Sequence, residues 1–457
     1  MRLAIIVLAA GEGTRMKSSH PKVLHAICGE PMIHSVLDSA EKLGPERTIV
    51  IVGHLHKMVR EALSGVNVEF VHQSERLGTG HAVAQVEQVL EGFDGVVIVL
   101  SGDTPLIRAQ TLEKLLEMHL SSGAAATIIT SQMDNPSGYG RIVRSPEGTV
   151  LSIIEEKDAT DEERAITEVN TGTYCFNKEK LFSALKRVKS DNKQGEFYLT
   201  DVIGILRDQG EKVMASRIDD PSEVMGVNNR AQLAEAEKEM RRRINEELML
   251  SGVTIIDPDT TYISAKVEIG KDTIIHPMTF ISGKTKIGEG CNIGPMSRLI
   301  DCKIGNNVLI ENSVVRQSII EDGASIGPFS HIRPETLVRA GAKIGGFVEV
   351  KKSEIGRGSK VPHLSYLGDT EVGDCVNIGA GTITCNYDGT DKHKTVIEDE
   401  AFIGSDTMLV APVKVGKGSY TGAGSVITKD VPADSLAVER SEQLIVDNWA
   451  KKKKRRV

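Results

Sequence analysis

From residue 269 to residue 299 an aliphatic side chain returns at every sixth position: Ile269, Ile275, Ile281, Ile287, Ile293 and Leu299. Glycine follows three of them directly, as Gly270, Gly288 and Gly294. A helix repeats its apolar residues about every 3.6 positions and a half-buried strand every two, so neither alone sets this beat. A chain wound into coils of short parallel strands does, because each sixth side chain points inward and stacks on its equivalent one coil away. After short slips the register resumes at Ile304 and Ile310, then at Ile320, Ile326, Ile332, Val338, Ile344 and Val350. It returns at Ile355, Val361 and Leu367, and again at Ile397, Ile403, Leu409 and Val415. The spacing predicts a parallel β-helix over the back half of the chain.

With 457 residues the chain has room for two to four domains. A net charge of −8 disfavours a generic nucleic-acid partner. The aromatic fraction of 4% suits a core of stacked Ile and Val. No run approaches the roughly 18 apolar residues of a membrane span, and no basic region precedes a cleavable apolar stretch at the start. The six cysteines are scattered without a C-x-x-C pair, so reduced thiols in a cytoplasmic protein are expected.

The front half follows another rule. Strand-like runs at Leu3–Leu8, Thr48–Val52, Val96–Leu100 and Ala125–Ile129 alternate with helical spacing such as Thr111–Leu120. This is the α/β pattern of a mostly parallel, doubly wound sheet, whose ligands bind beyond the carboxyl ends of the strands. From Ala231 to Leu250, Leu233, Met240, Ile244 and Leu248 are spaced by seven and then four, which predicts one amphipathic helix connecting two domains. The expected division is therefore 1–229, a helical linker at 230–250, and 251–457. Beyond Asp430 the repeat is expected to end, and the chain finishes on Lys451–Lys454, Arg455 and Arg456.

The first strand runs into Leu8-Ala9-Ala10-Gly11-Glu12-Gly13-Thr14-Arg15-Met16, followed by Pro21-Lys22. A glycine-rich turn after a strand exposes backbone N–H groups to phosphates, while Arg and Lys supply countercharge. Met16 stands where a dinucleotide fingerprint needs glycine, and the Gly-Lys-Ser/Thr of a P-loop is missing. The string through Lys22 resembles the signature of the sugar-nucleotidyltransferases, which join a nucleoside triphosphate to a sugar 1-phosphate. Gln73 and Leu77-Gly78-Thr79-Gly80-His81-Ala82 resemble the family's uracil-recognising segment, and Gly102-Asp103 its metal-binding aspartate. Gly138-Tyr139-Gly140-Arg141, Glu155, Asn170-Thr171-Gly172 and Val227-Asn228-Asn229 follow in the expected order. With the hexad repeat, the resemblance extends over essentially the whole chain to the bifunctional bacterial N-acetylglucosamine-1-phosphate uridylyltransferases/glucosamine-1-phosphate acetyltransferases. One departure is Ser101, where some relatives carry an aromatic residue before Gly-Asp; it bears on the shape of the nucleotide pocket.

The resemblance implies an α/β Rossmann-like nucleotidyltransferase domain, a helical linker and a left-handed parallel β-helix of hexapeptide repeats, assembled as a homotrimer. The handedness comes from the family alone. It assigns Leu8, Ala9, Ala10, Gly11 and Lys22 to the nucleotide, with Arg15 and Lys22 stabilising the departing pyrophosphate. Gln73, Gly78 and Thr79 would read uracil, and Gly140, Glu155 and Asn170 would bind the sugar and ribose. Asp103 and Asn228 would hold Mg2+, a cation that prefers oxygen ligands and takes few from the protein. Glu155 and Glu156 are adjacent, so only one faces a pocket if the segment is a strand; the resemblance selects Glu155. UTP and a sugar phosphate are both polyanions, so positioning and charge neutralisation dominate their reaction.

The polar interruptions of the solenoid point to a second site. Segment Thr384 to Lys394, containing Asn386-Tyr387, breaks the hexad and is expected to loop out, as functional excursions from rigid repeats do. The resemblance gives Arg333 and Lys351 to the sugar phosphate, Tyr366 and Asn377 to glucosamine, and Ala380, Asn386, Tyr387, Ser405, Ala423 and Arg440 to acetyl-CoA. Forming an amide from an ammonium and a thioester requires a base, and histidine titrates in the right range. His363, within Val361-Pro362-His363-Leu364-Ser365-Tyr366, is the candidate. A lone histidine is more often structural, and the basic tail is either a solvated end or a contact for the coenzyme phosphates. Two alternatives stay open: a single-activity nucleotidyltransferase whose β-helix only regulates or assembles, and an assembly subunit without catalysis.

Overall fold

The computed structural model describes residues 2–454 and divides into two compact units, residues 1–240 and 241–457. The first is built on a nine-stranded sheet. Its strands are β1 (Leu3–Ala9), β2 (Arg47–Val52), β3 (Glu69–His72), β4 (Val96–Ser101), β5 (Ala126–Gln132), β6 (Arg141–Arg144), β7 (Val150–Ile154), β8 (Glu168–Asn177) and β9 (Val213–Arg217). The spatial order is β9-β5-β8-β4-β1-β2-β3, with the β6–β7 hairpin attached to β8. Strand β1 is buried almost throughout, as expected of a parallel strand covered on both faces. Successive strands β1, β2 and β3 step one way, and the chain then returns to place β4 on the other side of β1. That reversal is a topological switch point, where a crevice opens beyond the strand ends. The expectation of a mostly parallel sheet needs one correction, because β8 runs antiparallel between β4 and β5. Its run, Glu168 to Asn177, alternates too weakly to betray its direction, which only its neighbours determine.

The helix Arg230–Leu250 does more than connect. Its first half supplies Leu233, Ala236 and Met240 to a small core with Ile27, Met32, Leu106 and Val227. Its second half lays Ile244 and Leu248 against the apolar core of the second unit. Leu233, Met240, Ile244 and Leu248, read as one stripe, thus serve two cores.

The second unit is a left-handed parallel β-helix whose strands form three sheets of 11, 10 and 9 strands. Ile275 faces Ile293, Ile344 faces Val361 and Leu299 faces Val315, so a coil takes 16 to 18 residues. From Ile275 onward the aliphatic positions read from the spacing are all buried, and Ile269 packs against the same core from a half-buried position. Between strands the chain turns corners with one residue in the left-handed region, for example Met296 at φ 47°, Phe329 at φ 60° and Phe347 at φ 57°. Glycines after the inward aliphatics keep coils close: a Cβ on Gly288 would lie 2.6 Å from the Gly305 carbonyl oxygen. Buried hydroxyls satisfy the corner backbone, as where Ser359 Oγ donates to Gly373 O at 2.6 Å and accepts from Val376 N at 2.9 Å.

Two expectations about the coil change. Thr384 and Cys385 stay in the strand Ile383–Cys385, so the excursion starts at Asn386. Thr384 remains because its buried hydroxyl accepts from Gly368 N at 2.8 Å, replacing an aliphatic at an inward position. The repeat also continues past Asp430, since strand Leu436–Ala437 pairs in parallel with Tyr420–Thr421. Lys451 to Lys454 belong to the short helix Trp449–Lys454, and Arg455 and Arg456 lie outside the described residues.

Candidate active sites

At the switch point of the first unit, Leu8 pairs with Ser101, which sets the ends of β1 and β4 side by side. Gly102 N donates to Leu8 O at 2.9 Å, and a Cβ there would lie 2.9 Å from that oxygen, so only glycine lets the chain turn and present Asp103. A cleft of about 840 Å³ opens here. Leu8, Ala9, Ala10, Gly11 and Lys22 line one side, Gln73, Gly78 and Thr79 another, and Asp103 the floor.

Four candidate residues converge on each other. Lys22 Nζ is ion-paired with Asp103 and donates to Asn228 Oδ1 at 3.1 Å, while Arg15 Nη2 donates to the same oxygen at 2.8 Å. A carboxylate and an amide oxygen, from positions 103 and 228, therefore meet at one cation. Val227 N donates to Asp103 O at 2.9 Å and holds the two segments together. Gln73 is buried, and its Nε2 reaches Gly78 O at 3.1 Å and His81 Nδ1 at 3.0 Å. Gly78 has φ +109°, and a Cβ would meet Phe197 O at 2.5 Å. Thr79 Oγ1 accepts from Leu199 N at 3.1 Å.

Gly140, Glu155 and Asn170 do not line that cleft but adjoin it: Gly172, whose N donates to Asn170 Oδ1 at 3.2 Å, packs against Ser101 in the cleft wall. Asn170 N donates to Gly140 O at 2.8 Å, and its buried amide Nδ2 donates to Tyr174 OH at 2.7 Å. Strand β7 ends at Ile154, so Glu155 and Glu156 lie beyond it and diverge through a turn rather than by strand alternation. Glu156 pairs with buried Arg141 at 2.7 Å, whereas Glu155 accepts from Thr200 Oγ1 at 3.1 Å. Burial raises the Glu155 carboxyl above its ordinary range, with the Thr200 hydrogen bond opposing. Tyr174 and Thr200, the partners of Asn170 and Glu155, were not legible as site residues; nothing in their sequence setting marks them.

In the second unit one corner line carries three of the acetyl-CoA candidates, while Asn386 lies at another corner, beside Gly368 and Asp369. Gly346 pairs with His363, and coil by coil the same corner then presents Ala380, Ser405 and Ala423. Backbone bonds follow that line: Leu364 N to Gly346 O at 3.0 Å, Asp406 N to Ala380 O at 2.7 Å, and Gly424 N to Ser405 O at 2.8 Å. Arg440 joins it by donating Nη1 to Ala423 O at 2.9 Å. His363 is exposed there, and no described side chain hydrogen-bonds its ring.

Beside that corner, Tyr366 opens the next strand and Asn377 sits one coil on, facing Lys360 and Phe402. Lys351 Nζ lies 3.8 Å from Asp369, which also accepts from the buried amide of Asn386. A Cβ on Gly368 would lie 2.5 Å from Tyr366 Oη and 2.8 Å from Asn386 Nδ2, so glycine leaves room for both. Lys392, on the excursion, is held below its ordinary range chiefly by its contact with the Lys351 ammonium. Arg333 instead pairs with Glu349 at 2.7 Å. Tyr387 is exposed on the excursion, its hydroxyl bonded to Gly389 O at 2.6 Å. Asp369 and Lys392 were missed by the sequence reading; the break in the hexad was the available signal for Lys392.

Residues 4–220 match the family model described as Nucleotidyl transferase, and residues 394–429 match Bacterial transferase hexapeptide (six repeats). A protein of Shouchella clausii named "Bifunctional protein GlmU" is 52% identical over 98% of this chain and 98% of its own length. One of the same name from Geobacillus sp. strain WCH70 is 53% identical over 97% of this chain and 96% of its own. A third, from Caldanaerobacter subterraneus, is 52% identical over 99% and 98%. With these full-length matches, the chain belongs to the family of bifunctional GlmU proteins, which join a nucleotidyltransferase to a hexapeptide-repeat acyltransferase.

Proposed function

We propose that the chain makes UDP-N-acetylglucosamine in two steps: acetyl transfer from acetyl-CoA to glucosamine 1-phosphate, then uridylyl transfer from UTP to N-acetylglucosamine 1-phosphate. One observation carries the reading: each unit gathers, around its own core, the residues of a different chemistry. In the second unit His363 takes a proton from the substrate ammonium, the freed amine attacks the thioester carbonyl, and coenzyme A leaves as the thiol. Lys351 with Arg333 would hold the phosphate, and Tyr366 and Asn377 the sugar. The small side chains of Ala380 and Ala423, with Ser405 and Arg440, leave a line along which the pantetheine arm can lie; Asn386 and Tyr387 stand at the next corner of the coil, Asn386 beside Asp369.

In the first unit a phosphate oxygen of the sugar attacks the α-phosphorus of UTP, the bond to the β-phosphate breaks, and pyrophosphate leaves. Arg15 and Lys22 neutralise the departing charge, while Gln73, Gly78 and Thr79 orient the base and Gly140, Glu155 and Asn170 the sugar. Asp103 and Asn228 fit Mg2+, since their oxygens already converge on one cation, the Lys22 ammonium. When bound there, the metal supplies further neutralisation of phosphate charge.

The assembly is a homotrimer in the cytoplasm with acetyltransferase sites completed between copies. Supporting this, Met278 and Met296 and, beyond Asn312, Phe329, Phe347 and Leu364 expose apolar side chains along the His363 corner, Phe329 and Phe347 stacked at 5.2 Å. No helix among the described residues is long and apolar enough to cross a membrane. The test is a coupled assay with glucosamine 1-phosphate, acetyl-CoA, UTP and magnesium, following thiol and pyrophosphate separately. Release of both, in that order of dependence, is expected. Pyrophosphate alone from supplied N-acetylglucosamine 1-phosphate would reduce the β-helix to a scaffold, and release of neither would leave an assembly subunit.

A further inference from the structure

Two loops edge the cleft of the first unit, and one ion pair bridges them. Glu12 stands between Gly11 and Gly13 in the glycine turn, and Arg76 belongs to the segment that carries Gln73 and Gly78. Both line the cleft, and Arg76 Nη1 is bonded to a Glu12 carboxylate oxygen. The two side chains are 45% and 51% exposed, in contrast to the buried Gln73 three residues away. The neighbouring Gln73 turns into the protein, while Arg76 reaches out across the cleft to the turn.

A carboxylate at position 12 is chemically out of place. The turn offers backbone N–H groups for phosphates, and a negative charge among them opposes an anionic ligand. Arg76 cancels that charge, and an exposed pair of this kind contributes little to stability because solvent screens it. It is too weak to clamp the loops, yet it delivers a guanidinium to the phosphate end of the cleft from a segment otherwise devoted to the base end. Arginine binds phosphate oxygens through two parallel N–H bonds, and a triphosphate outcompetes a single solvated carboxylate.

We propose that Arg76 is a further nucleoside-triphosphate-binding residue, with Glu12 competing for the same guanidinium and thereby weakening UTP binding. The proposal rests on the reading of this cleft as the uridylyltransferase site. It separates Arg76 from Arg15 and Lys22, whose charged ends are already committed to Asn228 and Asp103. It also gives Glu12 a sign opposite to that of a structural partner: removing it should help.

The test is steady-state pyrophosphate release with varied UTP, at saturating magnesium and N-acetylglucosamine 1-phosphate, for Glu12→Gln, Arg76→Gln and the double variant. Arg76→Gln should raise KM for UTP about tenfold, the order of one charge-assisted hydrogen bond, and leave KM for the sugar phosphate as it was. Glu12→Gln should lower KM for UTP severalfold, and the double variant should stay well above the unsubstituted chain but below Arg76→Gln, because the uncancelled Glu12 charge is then gone as well. If Glu12→Gln raises KM for UTP as Arg76→Gln does, the pair is a structural staple and the proposal fails. Unchanged KM in both single variants overturns it equally. Failure of the unsubstituted chain to release pyrophosphate would instead remove the reading of the cleft itself, and the proposal with it.

Discussion

At the residue scale, two histidines show how surroundings decide a role. His363 stands exposed on the corner line with Ala380, Ser405 and Ala423, free of side-chain hydrogen bonds among the described residues. His363→Ala should lower acetyltransferase turnover by about 10²–10⁴-fold, the range for loss of a general base, and change KM for acetyl-CoA little. Raising the pH should restore part of the rate, because more substrate amine is then deprotonated; thiol release measured across pH checks both. His119 is the opposite case, buried against Thr127 with Nδ1 3.0 Å from the hydroxyl. Burial pushes its pKa from 6.5 down to about 4. Between those values the unfolded chain binds a proton that the folded chain refuses, so stability present above about pH 6.5 is lost as pH falls toward 4. His119→Gln should shrink the drop in Tm between pH 7 and pH 5 seen by calorimetry. An equal drop in the variant would assign the acid sensitivity to other groups.

At the scale of elements, the solenoid was the most legible part, because its period is written in residues such as Ile326, Ile332 and Val338 whose inward direction is dictated by winding alone. The glycine turn and Gly102-Asp103 were legible for a related reason: both need a local backbone that few residue types allow. The corner line of the second site was not. The intervals from His363 to Ala380, Ser405 and Ala423 are unequal, since the excursion after Cys385 adds chain without adding a coil. Nor could the sequence show that β8 runs antiparallel, or that Glu12 meets Arg76, because partners far apart in the chain are chosen by packing. Solenoid coils touch mainly their neighbours, so damage should be local in effect. Ile275→Ala and Ile378→Ala both remove fully buried side chains and should each cost about 2–5 kcal/mol. Only Ile378→Ala, in the coil that holds Asn377 and Ala380, should also impair acetyl transfer in the folded protein. Denaturant melts paired with thiol-release assays check this; equal impairment by both would mean that strain travels the length of the coil.

At the scale of the whole molecule, the two units have separate apolar cores, with the helix Arg230–Leu250 contributing a half to each. Asp103→Ala should therefore abolish pyrophosphate release and leave thiol release near normal; loss of both in a protein that remains folded would contradict two independent sites. The winding itself limits how such a molecule can change length. A six-residue insertion between Leu367 and Asn377 would advance the chain by one side of the coil, so that Ala380, Ser405 and Ala423 would surface along a different edge from His363. The excursion from Asn386 to Lys394 escapes this rule, for it leaves and rejoins the coil at one corner, and Thr395 still lands on Thr370. Insertions in the solenoid thus fall into two kinds, those that keep the phase of the winding and those that turn every later coil out of step with the earlier ones.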